Sequence, residues 1–158
     1  MPNTYTQLFA HVVFAVRGRA NLISSKWRDN LYQYITGIIT NKNQKLMVIN
    51  GMPDHVHILI GLKPDCNLSD LVRDIKANSS KWINESKFVD GKFEWQTGFG
   101  AFSVGQPQVQ IVVEYIVNQE EHHKKKTFNA EYIELLNVNQ IDYKPEYIFQ
   151  DIGSTTSS

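Results

Sequence analysis

The triplet His55-Val56-His57 is the densest chemical signal in the chain. It sits in Gly51-Met52-Pro53-Asp54-His55-Val56-His57-Ile58-Leu59-Ile60-Gly61, an aliphatic run entered from a Gly/Pro turn and left at a glycine. That pattern reads as a strand. Strand side chains alternate between faces, so His55 and His57 share one face while Val56 and Ile58 point into a core. Two imidazoles at this spacing can grip one metal ion. Asp54, immediately before them, could orient a histidine from behind. The same two histidines could also serve as polar groups on a solvated face.

A second pair lies far downstream, in Glu114-Tyr115-Ile116-Val117-Asn118-Gln119. Tyr115 and Gln119 are four apart and therefore lie one above the other on a helix. On its own such a pair is ordinary surface polarity.

The elements that must position these residues follow from hydrophobic spacing. Residues 4–16 are rich in β-branched and aromatic side chains and read as a strand buried on both faces toward its end. Ser24 or Ser25 could cap a helix through Trp27, Leu31, Ile35 and Ile39. Leu46 to Ile49 is a short strand, followed by the His55 strand. A second amphipathic helix runs from Leu68 to Ile83, and the second half of residues 93–104 is a strand. The resulting β-α-β-β-α-β order is the ferredoxin-like pattern, an α+β fold with an antiparallel sheet and helices on one face. Gly105-Gln106-Pro107 breaks the chain before a third helix at about 108–124, which carries Tyr115 and Gln119. Thr127 could cap a short last helix through Tyr132 and Leu136. One domain over residues 1–150 is expected, with a disordered tail at 151–158.

The chain has 158 residues, 42% of them hydrophobic, with a formal net charge of zero. No apolar run approaches the roughly 20 residues of a membrane helix. The N-terminus has no charged segment followed by an apolar one, so no signal peptide is expected. The single cysteine, Cys66, excludes an internal disulfide or a multi-cysteine zinc site and fits a cytoplasmic protein. Neutral net charge weighs against a broadly basic nucleic-acid binder but leaves local patches open. Arg17 and Arg19, and Arg73 and Lys76 with Ser79, Ser80 and Lys81, are candidates for contacts with a DNA backbone. His122 follows Gln119 by three on the same expected helix and lies at its basic end. Trp27, Trp82 and Trp95 sit at core spacings.

Taken together, the strand 54–60, the segment Phe99-Gly100-Ala101-Phe102-Ser103, the helix 113–119 and the opening His11-Val12-Val13-Phe14 resemble the single-tyrosine HUH transposases of small bacterial insertion sequences and their REP-associated relatives. The resemblance covers roughly residues 4–125. It implies a strand transferase acting on single-stranded DNA with hairpin structure, working as a homodimer. By position it makes His55, His57 and Gln119 the ligands of a divalent metal, Mg²⁺ or Mn²⁺, and Tyr115 the nucleophile. A metal helps by neutralising the non-bridging oxygens of a phosphodiester, and a covalent phosphotyrosine conserves the bond for rejoining. The competing classes are a non-catalytic ferredoxin-like regulator that binds nucleic acid, and a metal hydrolase using water in place of tyrosine.

Overall fold

Alternation along the first strand decides how the layers assemble. In the computed structural model, which describes residues 3–148, β1 spans Leu8–Ala15 and every residue after Leu8 is buried. Ala10, Val12 and Phe14 enter one core. Phe9, Val13 and Ala15 enter two clusters on the other side. A strand covered on both faces needs a nearly continuous apolar run rather than alternation, and Phe9 to Val16 supplies it with His11 as its single polar member. The tail expected at 151–158 lies outside the described residues.

The other strands are β2 (Lys45–Met52), β3 (His55–Leu62) and β4 (Gly100–Val104), and the sheet order is β2-β3-β1-β4 with every pairing antiparallel. This is the ferredoxin-like arrangement. Helices α1 (Arg28–Asn41) and α2 (Leu68–Ser86) cover one face. Each buried Ile or Leu of that layer contributes about 1.5–3 kcal/mol; Leu31, Ile35, Ile39, Ile75 and Ile83 are all fully enclosed.

Against the opposite face pack α3 (Val109–Val117), α4 (Gln119–His123) and α5 (Phe128–Val138). The sheet therefore has helices on both faces, and His55 and His57 point into the second layer instead of toward solvent.

Several local expectations are corrected. The third helix is not continuous: it breaks at Asn118 (φ −93°, ψ 27°). Asn50 on β2 donates to the carbonyls of Ile116 and Val117, each at 3.0 Å, which satisfies the end of α3 where its ladder stops. Neither Ser24 nor Ser25 caps α1, which starts at Arg28 without a side-chain cap. Ser24 instead closes a turn, its Oγ accepting from the Lys26 amide at 3.1 Å. β2 runs further than Leu46 to Ile49 because it pairs along β3 as far as Met52 and His55. The fit at that hairpin is tight: a Cβ on Gly51 would lie 2.2 Å from the His55 carbonyl oxygen, so only glycine is accommodated.

Candidate active site

The β2–β3 hairpin aims the two histidines. Its turn is fixed by two backbone bonds, Val16 N–H to the Asp54 carbonyl (2.8 Å) and Ile23 N–H to the Pro53 carbonyl (2.9 Å). Asp54 is thereby held where its carboxylate meets His55 Nδ1 at 2.7 Å. The other carboxylate oxygen accepts two bonds from Arg19, at 3.0 and 2.8 Å. Burial opposes the charge on Asp54, but the bonds from His55 and Arg19 hold its carboxyl below the ordinary range. Arg19 is buried at 5% exposure. It also donates to Asn129 Oδ1 at 2.7 Å and lies over the Phe128 ring. Its guanidinium is thus engaged by Asp54, Asn129 and Phe128, at the floor of an open pocket that Lys124, Lys125 and Lys126 also line.

With Nδ1 tied to Asp54, His55 presents Nε2 to the interior, where it meets Gln119 Oε1 at 3.1 Å. His57, two residues on and on the same face, meets Glu131 Oε1 through Nε2 at 3.1 Å. Its Nδ1 faces His11 Nε2 of β1 at 2.8 Å. His55, His57 and Gln119 are fully buried, and Glu131 nearly so.

Glu131 is the centre that the sequence reading missed. It sits on α5, capped by Thr127 Oγ1 accepting from Ala130 N–H at 3.2 Å. Oε1 accepts from His57 and from His123 Nε2 (3.0 Å) and lies 3.6 Å from His55 Nε2. Oε2 accepts from Gln119 Nε2 at 3.0 Å and from the Tyr115 hydroxyl. Burial pushes its carboxyl up, but donation from His123, His57 and Tyr115 wins and holds it ionised far below the usual range. One ligand atom each from His55, His57 and Glu131 falls within 4.8 Å of the others. A divalent cation fits this donor chemistry: two imidazoles, an ionised carboxylate and an amide oxygen converge in one buried cluster.

Tyr115 lies in the last turn of α3 and Gln119 opens α4, so the two flank the break at Asn118 yet still meet at Glu131. The Tyr115 ring lies 5.9 Å from that of His57 within the same chain. Burial, then the Glu131 charge beside it, raises the Tyr115 phenol above its ordinary value. Burial lowers His57 to about 4 and His11 to about 3, so both are neutral at pH 7.

Of the two histidines after Gln119, His123 enters the cluster, while His122 packs its ring 4.4 Å from that of Tyr115. Arg17, Lys76, Ser80 and Lys81 line a groove on the far side of the sheet, together with Trp95 and Gln96. Lys76 is turned partly inward, donating to the carbonyls of Gln96 and Gly98. Arg73 stands outside this groove, paired with Asp70 and Asp74. Ser79 is buried and accepts from the Trp95 indole at 2.9 Å. Trp27 and Trp95 belong to the core and Trp82 packs against it. Signals for the missed groups were present but faint. Glu131 falls three residues after Phe128 and one before Tyr132, a charge on an apolar helix face.

Comparison with known proteins identifies a family and a shared fold. Residues 4–119 match the family described as transposase IS200 like. The transposase for insertion sequence element IS200 of Salmonella typhimurium is 27% identical over 120 residues, covering 72% of this chain and 78% of that protein. The ISDra2 transposase TnpA of Deinococcus radiodurans is 27% identical over 75 residues, 48% of this chain, and the chain spans only 54% of that relative's length. Two solved structures share the fold, each with a TM-score of 0.60. One is a candidate transposase from Deinococcus radiodurans R1, 22% identical, covering 74% of this chain and 94% of that one. The other is a REP-associated tyrosine transposase bound to a REP hairpin, 17% identical, covering 77% and 72%. No helix among the described residues is long and apolar enough to cross a membrane. With well over half its length matched by the family model, from the first strand through Gln119, the chain belongs to the IS200-like transposases.

Proposed function

We propose that the protein cleaves and rejoins single-stranded DNA through a covalent bond to Tyr115, excising and inserting an insertion sequence. The observation that carries this reading is the meeting of Tyr115, Gln119 and His57 on one carboxylate, Glu131. A nucleophile beside a set of metal-ligating donors is the constellation that phosphodiester transfer requires. A regulator that only binds nucleic acid has no need of it.

His55, His57 and Gln119, with Glu131 beside them, would hold Mg²⁺ or Mn²⁺. Such an ion would supply charge neutralisation at the non-bridging phosphate oxygens. The residues of the chain do the rest. The Tyr115 oxygen attacks phosphorus and the 3′ oxygen of the adjoining nucleotide leaves, giving a 5′-phosphotyrosine and a free 3′-hydroxyl. Attack by a second 3′-hydroxyl reverses the step and reseals the strand.

In the arrangement described, the proton stays on the phenol: Tyr115 is raised and Glu131 lowered, so transfer between them runs uphill. A hairpin in single-stranded DNA is the substrate suggested by the related REP-associated transposase, whose structure holds a REP hairpin. Arg17, Lys76, Ser80 and Lys81 would meet its backbone, since they share one groove. The enzyme would act as a cytoplasmic homodimer, pairing through β4, which among the described residues bonds only to β1. The experiment is incubation with single-stranded DNA from the flanks of the gene, followed by denaturing electrophoresis. A protein–DNA adduct supports the reading, and cleavage without one points to a hydrolase.

A further inference from the structure

We propose that His11 is a positioning residue that sets the tautomer of His57, and that the two rings exchange proton positions when a metal is bound. The inference rests on the metal reading given above.

The starting point is a chain of three groups. His11 Nε2 faces His57 Nδ1 at 2.8 Å, and His57 Nε2 faces Glu131 Oε1 at 3.1 Å. An ionised carboxylate can only accept. A neutral His57 therefore carries its proton on Nε2 and has a bare Nδ1. The donor across the 2.8 Å contact is then His11 Nε2–H.

A metal ligand needs the opposite arrangement. To offer the Nε2 lone pair, His57 must carry its proton on Nδ1 and donate it outward. The acceptor in that direction is His11 Nε2, which must now be bare. Binding thus requires a concerted change. The Nε2 proton of His57 leaves to water, the His11 Nε2 proton passes to His57 Nδ1, and His11 takes a proton from water at Nδ1. Each ring ends with one proton, as it began, and no net charge moves.

The fold builds His11 for this. β1 and β3 are paired so that Val13 lies opposite His57 and His11 opposite Leu59, which puts His11 diagonally across from His57 on the site face. Its ring is 4% exposed, stacked 5.1 Å from that of His57 and edge-on to Phe102 and Tyr115. The two ligand histidines are consequently unlike. Asp54 holds His55 through a carboxylate, which can only accept, so the His55 tautomer is fixed. His57 leans on a neutral imidazole that can donate or accept, so its tautomer can change.

The test combines metal binding with nitrogen NMR. ¹⁵N-histidine-labelled wild-type protein is titrated with diamagnetic Zn²⁺, and the tautomers are read from the ring nitrogen shifts. Without metal, His11 and His57 should both be Nε2–H. With Zn²⁺, both should become Nδ1–H. In parallel, calorimetry of H11F, which keeps an aromatic ring but no acceptor, should show Zn²⁺ affinity lowered about 10- to 100-fold. H11Q, whose amide can donate or accept, should recover most of it. Should H11F fail to fold, the wild-type spectra decide alone. A His11 that keeps Nε2–H with metal bound, or an H11F affinity within about threefold of wild type, overturns the proposal while leaving the metal site intact. A wild-type protein that takes up no Zn²⁺ contradicts the metal reading itself.

Discussion

The hydroxyl of Tyr115 donates to the carboxylate of Glu131, sixteen residues further along. That bond spans a helix break, a second short helix and a turn. It ties the end of α3 to the first turns of α5. Its other consequence is chemical: the group that attacks DNA in the proposed reaction is held protonated by a carboxylate that His57, Gln119 and His123 also engage. Replacing Glu131 by glutamine removes the charge but keeps the shape. The phenol should then titrate at lower pH than in wild type, because a nearby negative charge has gone. Ultraviolet difference titration of tyrosinate in E131Q and E131Q/Y115F isolates this one phenol. An unchanged Tyr115 titration would mean the bond does not govern its proton.

Stability should fall steeply on the acid side. His11 and His57 have native values of about 3 and 4 against 6.5 when exposed. Below pH 6.5 the unfolded chain binds two protons that the native state refuses. Stability therefore rises with pH through this window and is lost as pH falls from about 6.5 toward 4, by about 1.4 kcal/mol per pH unit for each histidine. Glu131 and Asp54, both lowered, extend the same trend below the ordinary carboxylate range. Chemical denaturation in EDTA between pH 4 and 8 measures the slope. H11F should reduce it by about one proton, and an equal slope in the variant would contradict the assignment.

Arg19 and Lys81 should separate structure from DNA contact. Arg19 and Asp54 form a buried pair at 2.8 Å. Arg19→Ala leaves the part-buried Asp54 carboxylate with only its bond from His55 and should cost about 1–3 kcal/mol of stability. Lys81→Ala should leave stability within about 0.5 kcal/mol but lower the log–log salt slope of DNA binding by about one unit. Denaturation curves and filter-binding titrations at several salt concentrations distinguish the two. Should Arg19→Ala lower the salt slope instead, the buried description of that side chain is wrong.

The four-element order of the sheet was legible because β1, β3 and the two long helices declare themselves locally. The His55–His57 face followed from strand alternation alone. The remainder was not local. Glu131, His123 and His11 come from three separate elements, and only the packing of α3 to α5 over the sheet unites them. His123 read as part of a basic helix end, and Glu131 as one charge on a short helix. The break at Asn118 was hidden because an intact helix and a broken one place Tyr115 near Gln119 equally well. Arg19 looked like a surface charge beside Arg17, and only the hairpin turn holding Asp54 explains why it is buried.

A homodimer is expected from β4, which among the described residues pairs only with β1. Sedimentation at tens of micromolar, a range in which specific dimers persist, should give twice the chain mass of 18.2 kDa. A stable monomer there would count against assembly through that edge.

The most direct test of the account is to map the covalent bond. Wild-type protein is incubated with Mn²⁺ and single-stranded DNA carrying the insertion-sequence end, digested, and sequenced by mass spectrometry. The account predicts a nucleotide on the peptide containing Tyr115. It further predicts that Tyr115→Phe, which retains the ring and the metal ligands, still binds DNA while cleavage and joining fall together by several orders of magnitude. An adduct on a different tyrosine, or cleavage that persists in the phenylalanine variant, would contradict it.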